Sequence, residues 1–369
     1  MFFQSKSQTI TEKDVLSALS KVMDPDLHKD IVTLGFVKDL KIEGGNVSFK
    51  VELTTPACPV KDALKEECEK RVKELDGVKA VNVEMTAMVR KTAASGNRIA
   101  LPNVKNVIAV ASGKGGVGKS TVTINLAMAL RETGASVGLM DADIYGPSVP
   151  LMMGVKEKPL QKDGRVIPVV KNGIKLMSMG FLVPENEAVV WRGPMVHGAL
   201  TQFLSAVDWG ELDYLLIDMP PGTGDAQLTI SQTAPVSGAV IVTTPQDVSL
   251  LDVRRGIRMF ENVKVPVLGV VENMAGFVCG DCNHTTHIFR QGGGEKIANE
   301  MGVPLLCSIP LDPRVAEGSD IGNPIVTAFP QSDTAKLYKK LAGEVAANLS
   351  VLFEKSQGHF QPLNLEWRT

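Results

Sequence analysis

Directly after the apolar run Val107-Ile108-Ala109-Val110-Ala111-Ser112 comes Gly113-Lys114-Gly115-Gly116-Val117-Gly118-Lys119-Ser120, followed by the helix-forming segment TVTINLAMALRETG. A complete G-x-x-x-x-G-K-[ST] pattern between a strand and a helix leaves few folds open. Its glycines let backbone N–H groups turn inward onto phosphate oxygens, and the helix N-terminus adds its partial positive charge. Lys119 then reaches the β and γ phosphates, and the Ser120 hydroxyl ligates Mg²⁺. The expected nucleotide-binding residues are therefore Gly113, Lys114, Gly115, Gly116, Val117, Gly118, Lys119, Ser120 and Thr121, with ATP and Mg²⁺ as ligands.

Further apolar runs follow at 137–143 (VGLMDAD), 214–220 (YLLIDMP), 239–245 (AVIVTTP), 265–271 (VPVLGVV) and 303–309 (VPLLCSI), most of them separated by helical segments. Strands buried on both faces read in this way, so a P-loop α/β fold with a mostly parallel, doubly wound sheet is predicted. The stripe Leu337, Leu341, Val345, Leu349 and Leu352 has near-helical spacing and reads as a helix packed on that sheet. Two of the runs end in carboxylates, one in Asp141-Ala142-Asp143 and the other in Asp218, which opens the Gly/Pro-rich segment DMPPGTGD. At the carboxyl edge of such a sheet, where ligands bind, Asp218 is suited to hold Mg²⁺ through water. Asp143 or Asp141 is suited to orient the attacking water, and Asp141 is also a candidate for the metal.

Upstream the pattern changes. Residues 1–90 alternate a helix, two strands around Gly44-Gly45, a second helix and a strand, the layout of a small α+β domain. Residues 91–106, KTAASGNRIALPNVKN, have the composition of a linker, and the ATPase domain is predicted over 107–369. A chain of 369 residues that is 44% hydrophobic has room for two cores. With a net charge of −2 and dispersed lysines and arginines, it lacks the footprint of a nucleic-acid binder. No segment approaches the roughly 20 apolar residues that span a bilayer, so no membrane partner is expected and a soluble, cytoplasmic location is. Five cysteines, odd in number and sparse, argue against a secreted disulfide framework and leave metal binding or redox chemistry.

Two of those cysteines lie in GFVCGDCNHTTHIF, residues 276–289. One reading is a thioredoxin-type redox pair, which wants a helix N-terminus beside it. Another is a mononuclear zinc site from Cys279, Cys282, His284 and His287, although these spacings are tighter than those of zinc fingers. A third lets two chains contribute, because two thiolates from each side of a twofold axis make the ligand set of a [4Fe–4S] cluster. His284 and His287 are then supporting donors or solvated loop residues. Elsewhere, Cys307 reads as a core residue of an apolar strand, and Cys68 sits on a charged helix without an assigned role. Cys58, before Pro59 and ahead of a helix, is either structural or a thiol whose pKa that helix N-terminus lowers.

The set GKGGVGKST, DADIYGPS, LLIDMPPGTGD and TTPQDVSLLDVRRGI resembles the deviant Walker A ATPases that include MinD, ParA and the nitrogenase iron protein. Within that group the chain is most similar to the Mrp/ApbC iron–sulfur cluster carriers. The likeness covers nearly the whole chain, since the N-terminal module, with TTPACPV around Cys58, is similar to the small iron–sulfur assembly domain fused to these ATPases. The resemblance implies an ATP-hydrolysing homodimer that carries a cluster to apo iron–sulfur proteins and meets cluster scaffold proteins. It implies that Lys114 reaches the partner's nucleotide, making Lys114 a catalytic candidate with Lys119 and Asp143. Asn273 in VENMAGF matches an adenine-contacting position, and Ser308-Ile309-Pro310-Leu311-Asp312 matches a second base-side loop. A bridging [4Fe–4S] cluster held through Cys279 and Cys282 is implied as well, and Cys58 is tipped toward metal or cluster handling as an accessory thiol. WRGPM, residues 191–195, shares the resemblance without assignable chemistry. The alternative is an ATP-dependent positioning switch of the MinD or ParA kind. It accounts for the P-loop and Lys114 but leaves the N-terminal domain and the cysteine pair without a use, and QGHFQPLNLEWRT lacks the basic amphipathic character of a membrane-surface helix.

Overall fold

The computed structural model describes residues 10–91, 98–144, 146–181, 193–279, 282 and 284–358. They form two compact units, the described part of Met1–Arg90 with Ala346–Thr369, and Lys91–Val345. Trp191 and Arg192 of the WRGPM segment and the final eleven residues lie outside the described residues.

In the smaller unit the first helix, Glu12–Leu19, starts with a capping box. The Thr11 hydroxyl accepts the Asp14 N–H at 3.3 Å, and the Asp14 carboxylate accepts the Thr11 N–H at 3.0 Å. This helix stops at Leu19, and Pro25 keeps Asp24 out of a helical conformation. Met23–Asp24 pairs instead with Lys29–Asp30 as a short antiparallel ladder. The predicted hairpin joins Val37–Glu43 to Asn46–Leu53, and Ala80–Ala87 runs parallel to the latter. Helix Lys61–Lys73 buries Leu64, Cys68 and Val72 in the core beside Phe49 and Val51. Cys68 is thus a core residue despite its charged neighbours, and burial pushes its thiol up to about 12. Glu354 meets Arg90 at 2.7 Å, and the Phe353 ring centroid lies 5.5 Å from the Arg90 guanidinium. Such contacts group the last turns of helix Asp333–Gly358 with the N-terminal residues, whereas the sequence reading placed all of 107–369 in one domain.

The larger unit is built on a sheet of nine strands among the described residues. Seven run parallel, in the spatial order Ile174–Ser178, Val137–Asp141, Leu212–Asp218, Val104–Ser112, Gly238–Thr243, Val267–Val278 and Leu305–Leu311. Each of the six predicted apolar runs contributes one of these strands. Short antiparallel strands sit at Val169–Lys171 and at Thr285–Thr286. Strand Ile174–Ser178 escapes the sequence reading because it is short, yet Asn172-Gly173 announces it. These residues have φ of 50° and 77°, the left-handed pair a two-residue hairpin requires.

Helix Lys119–Glu132 follows the P-loop and is enclosed on all sides, with every residue from Val122 to Leu130 buried. In helix Asp333–Gly358 the predicted stripe is buried at Leu341, Val345 and Leu349, joined by Tyr338. No helix among the described residues is long and apolar enough to cross a membrane. Strand Val104–Ser112 lies between Leu212–Asp218 and Gly238–Thr243, so strand order reverses at its carboxyl end and opens the crevice in which such sheets bind ligands.

Candidate functional site

The P-loop fills that crevice. Gly118 caps the following helix with φ of 79°, a left-handed conformation that a side chain disfavours. A Cβ there would also collide with the Asn273 amide, whose Nδ2 donates to the Val117 carbonyl at 2.9 Å. Asn273, proposed from the sequence for the adenine, is therefore buried against the phosphate loop itself. Lys114 turns toward the segment after Gly238–Thr243, its Nζ 3.4 Å from Gln246 Oε1, while its carbonyl accepts the Ser112 hydroxyl at 2.9 Å.

Sheet register sets the carboxylates side by side, because Asp218 is the direct partner of Asp141 across their two strands. Both are fully buried. Asp218 Oδ2 accepts the Ser120 hydroxyl at 2.6 Å and lies 2.8 Å from Lys119 Nζ, while Oδ1 accepts the Thr123 hydroxyl at 2.7 Å. Asp143 comes within 3.9 Å of the same ammonium. Asp141 accepts the Ser178 hydroxyl at 2.8 Å and the N–H groups of Asp143 and Val149. Burial, and then the Asp218 charge, push the Asp141 carboxyl well above the usual carboxylate range. The P-loop candidates and the three aspartates thus gather at one sheet edge. Ser120 Oγ and Asp218 Oδ2 form a pair of hard oxygen donors of the kind Mg²⁺ takes. Sequence reasoning missed Thr123, Ser178 and Gln246. Thr123 lies one helical turn beyond Lys119 and could have been found by that spacing, whereas Ser178 ends the strand that went unread.

The cysteine pair stands at the tip of a hairpin. Strand Val267–Val278 continues past the sheet, pairing Phe277 with Thr286 and Val278 with Thr285, and the Cys279 N–H donates to the His284 carbonyl at 3.0 Å. Cys279 is half-buried and Cys282 exposed, and none of the five cysteines is in a disulfide. The pair adjoins a β-hairpin and not the helix N-terminus that a thioredoxin-type site wants. His287 Nδ1 lies 3.0 Å from the Ala275 carbonyl, so this ring is engaged by the hairpin backbone. Among the described residues no three His, Cys, Asp or Glu side chains are grouped to hold a metal. A cavity of about 480 Å³ beside the hairpin is lined by Val278, Cys279, Pro310, Leu311 and Arg314 among others. Ser308–Asp312, expected as a loop, is mostly the end of strand Leu305–Leu311, and its residues Pro310, Leu311 and Asp312 line this cavity with the first cysteine.

Of the two readings of Cys58, the thiol lowered by a helix N-terminus is not met, since burial pushes it up to about 11 despite the helix that begins at Lys61. Cys307 is a core residue as predicted, its thiol also raised to about 11 by burial.

Comparison with known proteins bears on the whole chain. The family described as NUBPL iron-transfer P-loop NTPase matches residues 103–346, and the family of iron–sulfur cluster assembly proteins matches residues 12–85. The iron–sulfur cluster carrier protein of Synechocystis sp. is 50% identical over 348 residues, covering 93% of this chain and 99% of that protein. The protein of the same description from Escherichia coli K12 is 43% identical over 350 residues, 94% of each chain. Among solved structures, a nucleotide-binding protein of Archaeoglobus fulgidus in complex with ADP is 42% identical with a TM-score of 0.57, covering 64% of this chain and 93% of that one. With the P-loop, its aspartates and the N-terminal module all accounted for, the chain belongs to the family of iron-transfer P-loop NTPases.

Proposed function

We propose that this protein is an ATPase that carries a [4Fe–4S] cluster between two copies of the chain and delivers it to apo iron–sulfur proteins in the cytoplasm. The observation that carries the reading is the course of one strand. Val267–Val278 holds Asn273 against the P-loop and, six residues on, delivers Cys279 to the hairpin tip. Nucleotide and cargo would thus be attached to the same piece of backbone. Each chain offers two thiols, so a twofold pair offers the four thiolates that such a cluster takes.

ATP would lie with its phosphates on the N–H groups of the P-loop, and Mg²⁺ would be held by Ser120 and Asp218, with Asp141 behind them. The metal supplies charge neutralisation at the β and γ phosphates. Lys119, now paired with Asp218, would turn to the phosphates, and Asp143, 3.9 Å from that ammonium, would orient the attacking water. Lys114 would act on the nucleotide of the other copy, and the cavity beside Pro310 would receive the base. Cys58, protonated at neutral pH, fits an accessory ligand that gives up its proton only to a metal. Scaffold proteins would supply the cluster.

The test is anaerobic reconstitution with iron and sulfide, followed by metal and sulfide analysis, visible absorbance and mass in solution. About four irons and four sulfides per two chains are expected. Iron content that is unchanged in Cys279→Ala with Cys282→Ala would refute the assignment.

A further inference from the structure

Two buried side-chain atoms lack a hydrogen-bond partner among the described residues, and one of them, Gln227 Oε1, belongs to a side chain bonded to the segment that follows Asp218. Gln227 is 2% exposed and sits in the first turns of helix Asp225–Thr233. Its other amide atom is engaged, with Nε2 donating to the Pro220 carbonyl at 3.3 Å. Residues 220–224 read Pro-Pro-Gly-Thr-Gly, and the two prolines have no N–H to give. The Gly222 N–H donates to the Ser112 carbonyl at 3.0 Å. That leaves Thr223 and Gly224, both exposed and with no protein partner for their N–H groups among the described residues. An unmet buried acceptor thus belongs to the same amide that holds Pro220, at the start of a short segment whose remaining donors stand in solvent.

Asp218 is the fixed end of this segment, and its Oδ2 is at present shared by Ser120 and Lys119. A cation entering between Ser120 and Asp218 must displace both partners, and the chain immediately after Asp218 is what can respond. We propose that Gln227 is the positioning residue for this segment. Its Nε2 keeps Pro220 in place, and its Oε1 accepts the N–H of Thr223 or Gly224 when Mg–nucleotide is bound, drawing the segment down toward the γ-phosphate. An amide is suited to this work, since it offers a donor and an acceptor without adding charge to a site that already holds buried Asp141, Asp218 and Lys119. The nucleotide-free protein carries the desolvation penalty of the unmet oxygen, and the nucleotide-bound protein is relieved of it.

The inference rests on the ATPase reading, so the experiment separates the two. Full-length wild type is compared with Gln227→Met, which keeps the length and loses both polar atoms, by thermal unfolding with and without Mg–ATPγS and by steady-state ATP hydrolysis. Without nucleotide the variant is expected to melt at or above wild type. Its stabilisation by Mg–ATPγS should be roughly half that of wild type, and kcat should fall roughly tenfold or more with KM within about threefold. A purely structural role would instead lower the nucleotide-free melting temperature and move KM together with kcat. Hydrogen exchange on wild type supplies a reading that does not depend on the variant folding, with the amides of Thr223 and Gly224 expected to slow in saturating Mg–ATPγS. Exchange that does not change, or a variant that matches wild type in kcat and in its response to Mg–ATPγS, overturns the role of Gln227. A wild type that neither gains stability with Mg–ATPγS nor hydrolyses ATP overturns the ATPase reading, and this proposal with it.

Discussion

Thr123→Val tests whether Asp218 is held from behind independently of its nucleotide-facing side. The Thr123 hydroxyl lies 2.7 Å from Asp218 Oδ1 and 2.9 Å from the Lys119 carbonyl, and its single proton goes to the carboxylate, the stronger acceptor. Valine keeps the shape and removes that donor within a fully buried site. A hydrogen bond to a charged group contributes about 1.5–3 kcal/mol, so the loss should be about 2 kcal/mol. For a unit of this size, with about 2–4 °C per kcal/mol, the melting temperature should fall by about 4–8 °C. The two oxygens of Asp218 divide the work, with Oδ1 on Thr123 and Oδ2 on Ser120 and Lys119. Mg²⁺ arriving at Oδ2 leaves the Thr123 bond in place, so the deficit should persist undiminished at saturating Mg–ADP, with the ADP Kd within about threefold of wild type. Differential scanning calorimetry with and without Mg–ADP, and isothermal titration, provide the readings. A deficit below about 1 °C, or one that disappears with Mg–ADP, would refute the division of labour.

Other expectations follow from the same contacts. Gly118→Ala should destabilise the P-loop through its left-handed backbone and its collision with Asn273, and adding Asn273→Ala should recover part of the loss, a coupling of about 0.5–3 kcal/mol read by chemical unfolding. Alkylation by iodoacetamide at pH 8, followed by mass spectrometry, should label exposed Cys282 before Cys58, Cys68 and Cys307, whose thiols burial holds at about 11, 12 and 11. Labelling of Cys68 first would contradict the core that encloses it. Because the folded-state pKa of Asp141 is raised, the folded state binds more protons than the unfolded one above the ordinary carboxylate range, and its contribution to stability is lost as pH rises toward that raised value. Asp141→Asn should flatten this slope between about pH 4 and 7 in urea unfolding, and a variant with the wild-type slope would exclude Asp141 as its source.

What could be read in advance follows from how each feature is encoded. The P-loop is contiguous and each of its residues has a fixed task, and strands covered on both faces become unbroken apolar runs. Both were therefore legible. Polar partners brought in through space were not: Thr123 meets Asp218 from 95 residues away, and Ser178 meets Asp141 from 37. Thr285–Thr286 is too short to show a period, so the hairpin under the cysteines emerged only from its pairing with Phe277 and Val278. For Cys58, the helix beside it suggested one direction of pKa shift and burial imposed the other, since the depth of a half-buried thiol depends on chain segments distant in sequence.

Enclosure of helix Lys119–Glu132 gives the phosphate loop a closely packed support. With nine consecutive residues packed on all sides from Val122 to Leu130, this helix has no face left to rotate into, and its amides should be among the slowest to exchange. Any displacement on a change of nucleotide should therefore spare this helix. On the proposed function, it is expected in the exposed residues after Asp218 and in the hairpin that carries Cys279 and Cys282.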